Sequence, residues 1–429
     1  MKKFLAMLLA LVMALSLVAC GKTENPPTGD DGNKDADPTA KVKVGFITLH
    51  DENSTYDKNF IDAAKEAIAN LGLTDADYIL KTNVPEGQEC YEAAVDMVDK
   101  GCNIIFADSF GHEPFMIQAA QEYPNVQFCH STGTRAHTEG LANYHNAFAS
   151  IYEGRYLAGI AAGLKLNEMI DAGKFSADEA MVGYVGAYTY AEVVSGYTSF
   201  FLGVRSVCPT ATMKVTFTGS WYDEALEKEG AQKLIDMGCK LISQHADSMG
   251  APTACENAGI PNVSYNGSTG KACPNTYIIS SRINWAPYYE YAIKAVMDGT
   301  TIDTDWTGTL ATGSVVLTDL NTAVAAEGTA EAIAAATEKL EKGELHVFDT
   351  ATFTTRADDT MNAFKVDFLK VDADGHITSY LADVDTDEAY TGDTEVVHDG
   401  YFSESEKRSA PYFDLEIDGI NRLDVNYGG

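Results

Sequence analysis

The sequence predicts an α/β protein with two doubly wound parallel-sheet lobes, a hinge between them and a C-terminal extension. From Lys41 onward, short apolar runs of strand length alternate with stretches of helical periodicity, which is the order of parallel βαβ units. The alternation begins again near residue 181, so two lobes of similar construction are expected. One segment also recurs: MVDKGCNIIF at 97–106 and LIDMGCKLIS at 234–243 both join a helix end to a strand through Gly-Cys.

The first lobe begins with the apolar run at residues 42–48, which predicts a strand. Apolar residues at helical spacing follow over 59–71, and Gly72 then marks the end of a helix. Strands are expected next over residues 78–81, 103–107 and 126–130, with helices between them over 88–100 and 114–122. The chain after Trp285 adds a helix and a strand near 313–317, so lobe one is assigned to residues 42–143 and 285–320.

The second lobe is assigned to residues 144–284. It opens with a helix over 151–166, whose many small residues favour tight packing against a neighbour. Strands are expected over 181–185, 213–217 and 240–243, with helices between them over 192–204 and 225–237. This order repeats the order of lobe one and again favours a parallel sheet.

Residues 321–429 are predicted to form a C-terminal helix, over 329–342, and an acidic extension of short strands and loops. Within the extension, Asp372-Ala-Asp-Gly375 has the first ligands of a calcium loop but lacks the later acidic residues and the closing Glu. A hairpin turn between 364–369 and 376–380 is therefore expected, and no metal site is predicted.

Composition and motifs narrow the function to the binding of a small molecule. The chain has 63 Asp and Glu against 30 Lys and Arg, a formal charge of −33. This charge argues against a nucleic-acid partner, because phosphates require a basic surface. The sequence contains no HExxH, GxSxG, Walker-type or GxGxxG motif, so neither catalysis nor a cofactor is predicted. We expect a monomeric binding protein rather than an enzyme.

The N-terminal segment predicts the location of the protein. Lys2 and Lys3 precede an apolar stretch that ends in Leu17-Val-Ala-Cys20, so residues 1–20 are predicted to be a signal peptide. This ending resembles a bacterial lipobox, in which Cys20 would carry the lipid; an ordinary signal peptide that contains Cys is the alternative. Residues 21–40 have the composition of a flexible stalk. We therefore expect a lipid-anchored protein on the extracytoplasmic face of the cell membrane.

Seven further cysteines follow Cys20, and none of them has the spacing of a CxxC pair. Two of them follow Gly and precede apolar runs, a context typical of buried strand starts. Buried thiols are therefore favoured over a disulfide framework, which an extracytoplasmic location would also permit.

Candidate ligand contacts lie in loops at the carboxyl ends of the predicted strands, where open parallel sheets bind their ligands. These loops combine aromatic residues with Asp and Asn, so a cleft between the lobes could stack a flat ring and bind hydroxyl groups. Packing of one lobe against the other is the alternative role for each aromatic side chain. The loops are 50–57, 108–112, 186–189, 219–223, 244–248, 265–267 and 281–282.

The order of motifs resembles the basic membrane protein family of lipoproteins, which are substrate-binding proteins of ABC importers. The resemblance covers about residues 41–348 and rests on segments such as KVGFIT, GCNIIFADSFG, EGRYLAGIAAGL, TGSWYDEA and YIISSRINW. It implies a periplasmic-binding-protein-like fold of type I, with two lobes that close around a small ligand. It also implies a purine nucleoside as the ligand and an ABC permease as the partner.

The loops and the resemblance together give nine candidate ligand contacts: Asn53, Tyr56, Asp57, Asp108, Phe110, Trp221, Asp247, Asn266 and Arg282. Two of them depart from the family pattern, since Asp57 stands where the family carries Asn and Asn266 stands where it carries Asp. The missing carboxylate at 266 would weaken the binding of ribose by about 1.5–3 kcal/mol. Two alternatives to import remain open, namely a surface adhesin and a ligand receptor for a sensor kinase.

Overall fold

Two mainly parallel sheets form the framework of the computed structural model, which describes residues 41–358, 361–362, 365–384, 392 and 394–424. The two lobes contain, in chain order, the strands β1 (Val44–Ile47), β2 (Tyr78–Lys81), β3 (Ile104–Ala107), β4 (Gln127–Ser131), β5 (Tyr144–Ala149), β6 (Met181–Gly186), β7 (Thr212–Phe217), β8 (Leu241–His245), β9 (Asn262–Tyr265), β10 (Tyr277–Ile283), β11 (Asp305–Gly308) and β12 (Val315–Leu317). The α-helices are α1 (Thr55–Asn70), α2 (Gln88–Asp99), α3 (Glu113–Glu122), α4 (Ala136–Glu139), α5 (Ile151–Asp171), α6 (Ala191–Val207), α7 (Glu224–Asp236), α8 (Gly250–Ala258), α9 (Ala286–Asp298) and α10 (Thr329–Glu341).

Both sheets have the same strand order at their centre. The first sheet runs β2-β1-β3-β4-β5-β11 and is parallel throughout. The second runs β7-β6-β8-β9-β10 in parallel, with β12 antiparallel beside β10. The strand order reverses between β1 and β3 and between β6 and β8, and such a switch point opens a crevice at the carboxyl ends of the strands. The prediction of two doubly wound lobes is confirmed.

The repeated Gly-Cys segment forms equivalent turns in the two lobes. Gly101 follows α2 with a φ of +88°, and Gly238 follows α7 with a φ of +94°, a region in which residues with a Cβ are strained. The amide of the Cys after each glycine donates to a helix carbonyl five residues earlier, over 3.0 and 3.1 Å. The turns lead into β3 and β8, so in both lobes the repeat precedes a strand that borders the switch point.

Two strands, β5 and β12, belong to a different sheet from the one that the predicted lobe boundaries imply. β5 was expected in lobe two but pairs with β4 in the first sheet. β12 was expected in lobe one but pairs with β10 in the second sheet. The chain therefore crosses between the lobes after β5, after β10 and after β11.

Helices α5 and α6 pack with their backbones in close contact, as the small residues of α5 predicted. A Cβ atom at Gly159 would lie 2.1 Å from the carbonyl oxygen of Phe200. A Cβ atom at Gly203 would lie 2.0 Å from the carbonyl oxygen of Tyr156. Only glycine fits at these two positions, since real Cβ atoms do not approach other atoms so closely.

The C-terminal extension shares one hydrophobic core with lobe two. Its strands are β13 (Leu369–Val371), β14 (Ile377–Ala382), β15 (Thr394–Glu395), β16 (Val397–His398), β17 (Tyr401–Phe402) and β18 (Ile420–Arg422). Phe348, Phe353 and Phe413 of the extension belong to the same cluster as Phe200 and Phe201 of α6. β18 pairs in parallel with β7 and so extends the second sheet. The extension is therefore a structural part of lobe two rather than an appendage.

The predicted hairpin of the extension is confirmed by the antiparallel pairing of β13 with β14, although residues 363–364 lie outside the described residues. In its turn, Asp372 Oδ1 accepts hydrogen bonds from the amides of Asp374 and His376, over 2.9 and 3.0 Å. Within the described ranges, no group of three or more His, Cys, Asp or Glu side chains could hold a metal ion.

The seven cysteines after Cys20 are all buried and free of disulfides, as expected for structural thiols. Burial raises the pKa of the Cys239 thiol to about 12. The signal peptide, Cys20 and the stalk all fall in residues 1–40, outside the described residues. In the part of the chain that is described, no helix is both long and apolar enough to cross a membrane.

Candidate ligand-binding site

A cavity lies between the lobes at the two switch points. Lobe one contributes residues that follow β1, β3 and β4, and lobe two contributes residues at or after the ends of β6, β7 and β8. The lining residues are Leu49, His50, Tyr56, Asp57, Ser109, Phe110, Thr132, Glu192, Trp221, His245 and Asp247. The lobes are closed so tightly on this cavity that its enclosed free volume is only about 20 Å³, below the roughly 300–1,000 Å³ of small-molecule sites, so they must separate to admit a ligand.

The wall from lobe one is held by hydrogen bonds around Asp57. Ser54 caps α1, because its Oγ accepts from the amide of Asp57 over 3.1 Å and donates to Asp57 Oδ2 over 2.5 Å. The amide of His50 donates to Asp57 Oδ1 over 2.7 Å, and His50 Nδ1 lies 3.3 Å from Oδ2. Burial alone would raise the pKa of Asp57, but these hydrogen bonds outweigh it and lower the pKa. Asp57 is therefore a charged acceptor in a fixed orientation.

Asp108 lies directly behind this wall and has the opposite character. Its Oδ1 accepts from the amide of Leu49 over 3.2 Å, whereas Oδ2 is buried and has no hydrogen-bond partner. Tyr56 is held in place because its hydroxyl donates to the carbonyl oxygen of Asp108 over 2.6 Å. Burial, followed by the negative charge of Asp57, raises the pKa of Asp108 well above its ordinary value. The pKa values of two neighbouring carboxyl groups are thus shifted in opposite directions.

The wall from lobe two combines an aromatic cluster with acidic groups. The Trp221 ring lies edge-on to Tyr188, with centroids 5.0 Å apart, and 5.9 Å from Tyr190. Beside this cluster, the carboxyl group of Asp247 has no hydrogen-bond partner among the described residues. Burial, then the charges of Asp57 and other acidic groups, raises the pKa of Asp247 well above its ordinary value. The carboxyl group of Asp247 is therefore available to form hydrogen bonds with a ligand on this wall.

Contacts across the cleft hold the lobes in a closed arrangement. The amide and the hydroxyl of Thr55, in lobe one, both donate to the carbonyl oxygen of Asp247, in lobe two, over 3.1 Å. The rings of Phe110 and Tyr190 meet across the cleft at 5.1 Å. The first turn of α1 thus contacts the loop after β8 directly, and the cavity is enclosed between the two walls.

The structure brings five of the nine predicted site residues to the cavity wall and places Asp108 directly behind it. The five are Tyr56, Asp57, Phe110, Trp221 and Asp247. Asn53 is exposed outside the cavity, where its amide donates to Asp51 Oδ1 over 2.8 Å. Asn266 and Arg282 line a separate groove beside α1.

The displacement of Asn266 and Arg282 has a topological reason. Both follow or lie on β9 and β10, which are farther from the switch point than β6 and β8. Asn266 has a φ of +62°, and its Oδ1 accepts from Asn59 Nδ2 over 3.3 Å. Its side chain thereby contacts α1 in the groove and does not line the cavity.

Six lining residues were not predicted: Leu49, His50, Ser109, Thr132, Glu192 and His245. Three of these, His50, Ser109 and His245, lie in the loops that the sequence identified, and Leu49 directly precedes one of them. Thr132 follows the end of β4 and was missed, although the rule for strand ends applies to it. Glu192 is in the first turn of α6, where no sequence pattern distinguished it from an ordinary helix-starting acid.

Comparison with known proteins identifies the family. Residues 43–344 match the Bmp family model, described as ABC transporter substrate-binding protein PnrA-like. The chain belongs to this family. The predicted resemblance to the basic membrane protein family is confirmed, and the Bmp family implies a small-molecule ligand, an ABC permease as partner and an extracytoplasmic location.

Relatives of this Bmp protein carry different ligand names. It is 34% identical over 263 residues to the purine-binding protein BAB2_0673 of Brucella abortus, covering 61% of this chain and 70% of that protein. It is 33% identical over 258 residues to the Putative ABC transporter glucose-binding protein TsgA13 of Haloferax volcanii, covering 60% of this chain and 62% of TsgA13.

Solved structures support the fold. An ABC transporter solute-binding protein from Aeropyrum pernix matches with a TM-score of 0.61 at 17% identity, over 76% of this chain and 96% of that one. This match confirms the predicted periplasmic-binding-protein-like fold.

Proposed function

We propose that this protein is a lipid-anchored extracytoplasmic receptor that captures a purine nucleoside between its lobes and delivers it to an ABC permease. The observation that carries the proposal is a closed cavity at the switch points, lined by aromatic rings from both lobes and by carboxyl groups. Cys20 is the proposed site of lipid attachment. We propose no catalytic step, no cofactor and a monomeric state.

The chemistry of the cavity suits a flat ring that carries hydrogen-bond donors. Phe110 of lobe one and Trp221 of lobe two present aromatic surface, which stacks on a purine base. The charged Asp57 accepts hydrogen bonds from N–H or O–H groups, and the uncommitted carboxyl group of Asp247 can take part in binding ribose hydroxyls. The 34% identity with a protein named for purine binding supports this choice of ligand.

A hexose is the second candidate ligand. None of the residues that line the cavity is Lys or Arg, and three of them are Asp or Glu, a composition suited to a neutral ligand with many hydroxyl groups. A Trp ring also packs well against the apolar face of a sugar. The name of TsgA13 points to the same class of ligand.

Capture requires only that the ligand binds the closed arrangement more tightly than an open one. The Thr55 contacts with Asp247 are available only when the lobes meet, so they contribute to closure once the ligand supplies the rest of the free energy. A permease would then recognise the closed form.

Binding to the mature protein tests the proposal. Calorimetric titration and thermal unfolding would be carried out with adenosine, guanosine, inosine, adenine, ribose and glucose. A ligand at 100 times its Kd stabilises a protein by about 2.7 kcal/mol. We expect at least one purine nucleoside to give this stabilisation while glucose does not.

A response to glucose alone would replace the purine nucleoside with the hexose. A response to none of these compounds would refute solute capture of either class and favour the adhesin. If a nucleoside binds but cells that lack the partner ABC permease still respond to that nucleoside, a role as receptor for a sensor kinase would replace import.

A further inference from the structure

Arg155 is a fully buried cation that no carboxylate pairs with in the described part of the chain. It lies on α5, beneath the wall that lobe two contributes to the cavity. Its Nη2 donates to the carbonyl oxygen of Gln244 over 3.0 Å, while Nε and Nη1 have no hydrogen-bond partner. A buried guanidinium with one hydrogen bond is costly, so its retention requires a compensating role.

The guanidinium group is in contact with aromatic faces. Its Cζ lies 4.1 Å from the centroid of the Tyr265 ring and 5.2 Å from that of Tyr184. Burial lowers the pKa of Arg155 to about 10, so the group keeps its charge at neutral pH. Cation–π contact offsets part of the cost of burial.

His245 connects this region to the cavity. Its ring packs on Tyr265 with centroids 4.4 Å apart, and its Nε2 lies 3.2 Å from Glu192 Oε1. Gly196 leaves room for the ring, because a Cβ at that position would lie 2.7 Å from His245 Nδ1. Burial lowers the pKa of His245, and the charge of Arg155 acts in the same direction against the opposing effect of Glu192.

A neutral His245 can make the contact with Glu192 in one way only. Nε2 must carry the proton and donate it, because the carboxylate accepts but does not donate. Nδ1 is then the bare nitrogen, consistent with its burial without a partner. The neutral ring of His245 therefore stands between the positive guanidinium of Arg155 and the carboxylate of Glu192.

We propose that Arg155 is a positioning residue which, through His245, orients the Glu192 carboxylate to accept a hydrogen bond from an N–H group of the bound purine. This inference rests on the proposed function and adds a determinant of specificity within the same cavity. A ligand that lacks such a donor would leave Glu192 unpaired in an enclosed site, and hydrogen bonds to charged groups discriminate by roughly tenfold to 150-fold.

The test compares two ligands in a double-mutant cycle. The probes are whichever of adenosine, guanosine and inosine binds best, and purine riboside, whose base has no N–H donor. Kd values would be measured for the unaltered protein, Arg155→Met, Glu192→Gln and the double variant. We expect a preference of about tenfold or more for the donor-bearing ligand, reduced to a similar extent in all three variants. Arg155→Lys should restore part of the preference, because it returns the charge.

Arg205→Met is the matched control, since it removes the same charge from lobe two at a position on α6 that pairs with Asp418 away from the cavity. It should leave the ratio of the two Kd values unchanged. Equal weakening of both ligands by Arg155→Met, or additive effects in the double variant, would overturn the positioning role.

A measurement on the unaltered protein remains decisive if Arg155→Met does not fold. ¹⁵N NMR of the His245 ring at pH 7 should show a neutral imidazole protonated at Nε2. An imidazolium ring or an Nδ1–H tautomer would overturn the inference. Failure of the unaltered protein to bind any purine would refute this inference together with the proposed function, whereas purine binding with a negative NMR result would refute this inference alone.

Discussion

The two lobes repeat one strand order, yet the polar side chains that they contribute to the cavity wall differ in their hydrogen bonding. In lobe one, Asp57 is tied to Ser54 and to the amide of His50. In lobe two, the carboxyl group of Asp247 and the Nδ1 atom of His245 have no hydrogen-bond partner among the described residues. The difference indicates that the Asp57 carboxylate of lobe one is a preformed acceptor, whereas the Asp247 carboxyl group of lobe two is left free to bond to the ligand.

The largest effect is expected for Asp57→Ala. This change leaves the hydroxyl of Ser54 and the amide of His50 without their charged acceptor, so both folding and binding should suffer. We expect the free energy of unfolding to fall by about 1.5–3 kcal/mol and nucleoside affinity to fall at least tenfold. Urea unfolding and calorimetric titration measure the two effects. Loss of affinity with unchanged stability would contradict the preformed character of the Asp57 carboxylate.

The same substitution on the other wall, Asp247→Ala, should separate binding from stability. The buried carboxyl group has no side-chain partner to lose, so the free energy of unfolding should stay the same or increase. Affinity should fall by roughly tenfold, because the ligand loses a polar contact. If Asp247→Ala destabilises the unliganded protein as much as Asp57→Ala does, the contrast between the walls is wrong.

A smaller effect is expected in the pH dependence of stability. Burial raises the pKa of Glu404, in the extension, to about 8 and that of Glu227, in lobe two, to about 7. The folded state therefore binds these protons more tightly than the unfolded state, so stability falls as pH rises from about 4.5 towards 8. Asp57, whose pKa is lowered, acts in the opposite sense and loses its contribution as pH falls below about 4.

Glu404→Gln tests this assignment. It should reduce the loss of unfolding free energy between pH 5.5 and pH 8 by about 1–3 kcal/mol, since one pKa unit corresponds to about 1.4 kcal/mol. Urea unfolding at several pH values gives the slope. An exposed Glu of α10, Glu338, provides the matched control as Glu338→Gln. An unchanged slope in Glu404→Gln would show that this side chain is already ionised in the folded protein.

The smallest effect is expected for Arg282→Gln, which distinguishes the sequence-based site from the structural one. The side chain lies in the groove beside α1 and does not line the cavity. Nucleoside affinity should therefore change less than threefold. A loss of tenfold or more in titration would restore Arg282 to the binding site and would require the lobes to close differently around the ligand.

The fold could be predicted from the sequence because the alternation of strands and helices is local. The exchange of β5 and β12 between sheets could not, since the local pattern does not show that β5 pairs with both β4 and β11 or that β12 folds back antiparallel on β10. The same limit affects the site. Asp247 and Asn266 are both polar residues just past a strand end, and only the strand order places β8 at the switch point and β9 beyond it. Glu192 could not be recognised because its role depends on His245, which is 53 residues away in the chain.

The shared core of lobe two and the extension also bears on how the protein is made. The first sheet has all its strands once residue 308 has been synthesised. Lobe two, by contrast, lacks β18 and the aromatic partners Phe402 and Phe413 until residue 422 has been synthesised. A chain truncated at residue 344, where the family match ends, would expose the apolar face of α6 to solvent. The order of synthesis therefore makes the strands of the first sheet available early, whereas the second sheet and its core wait for the extension.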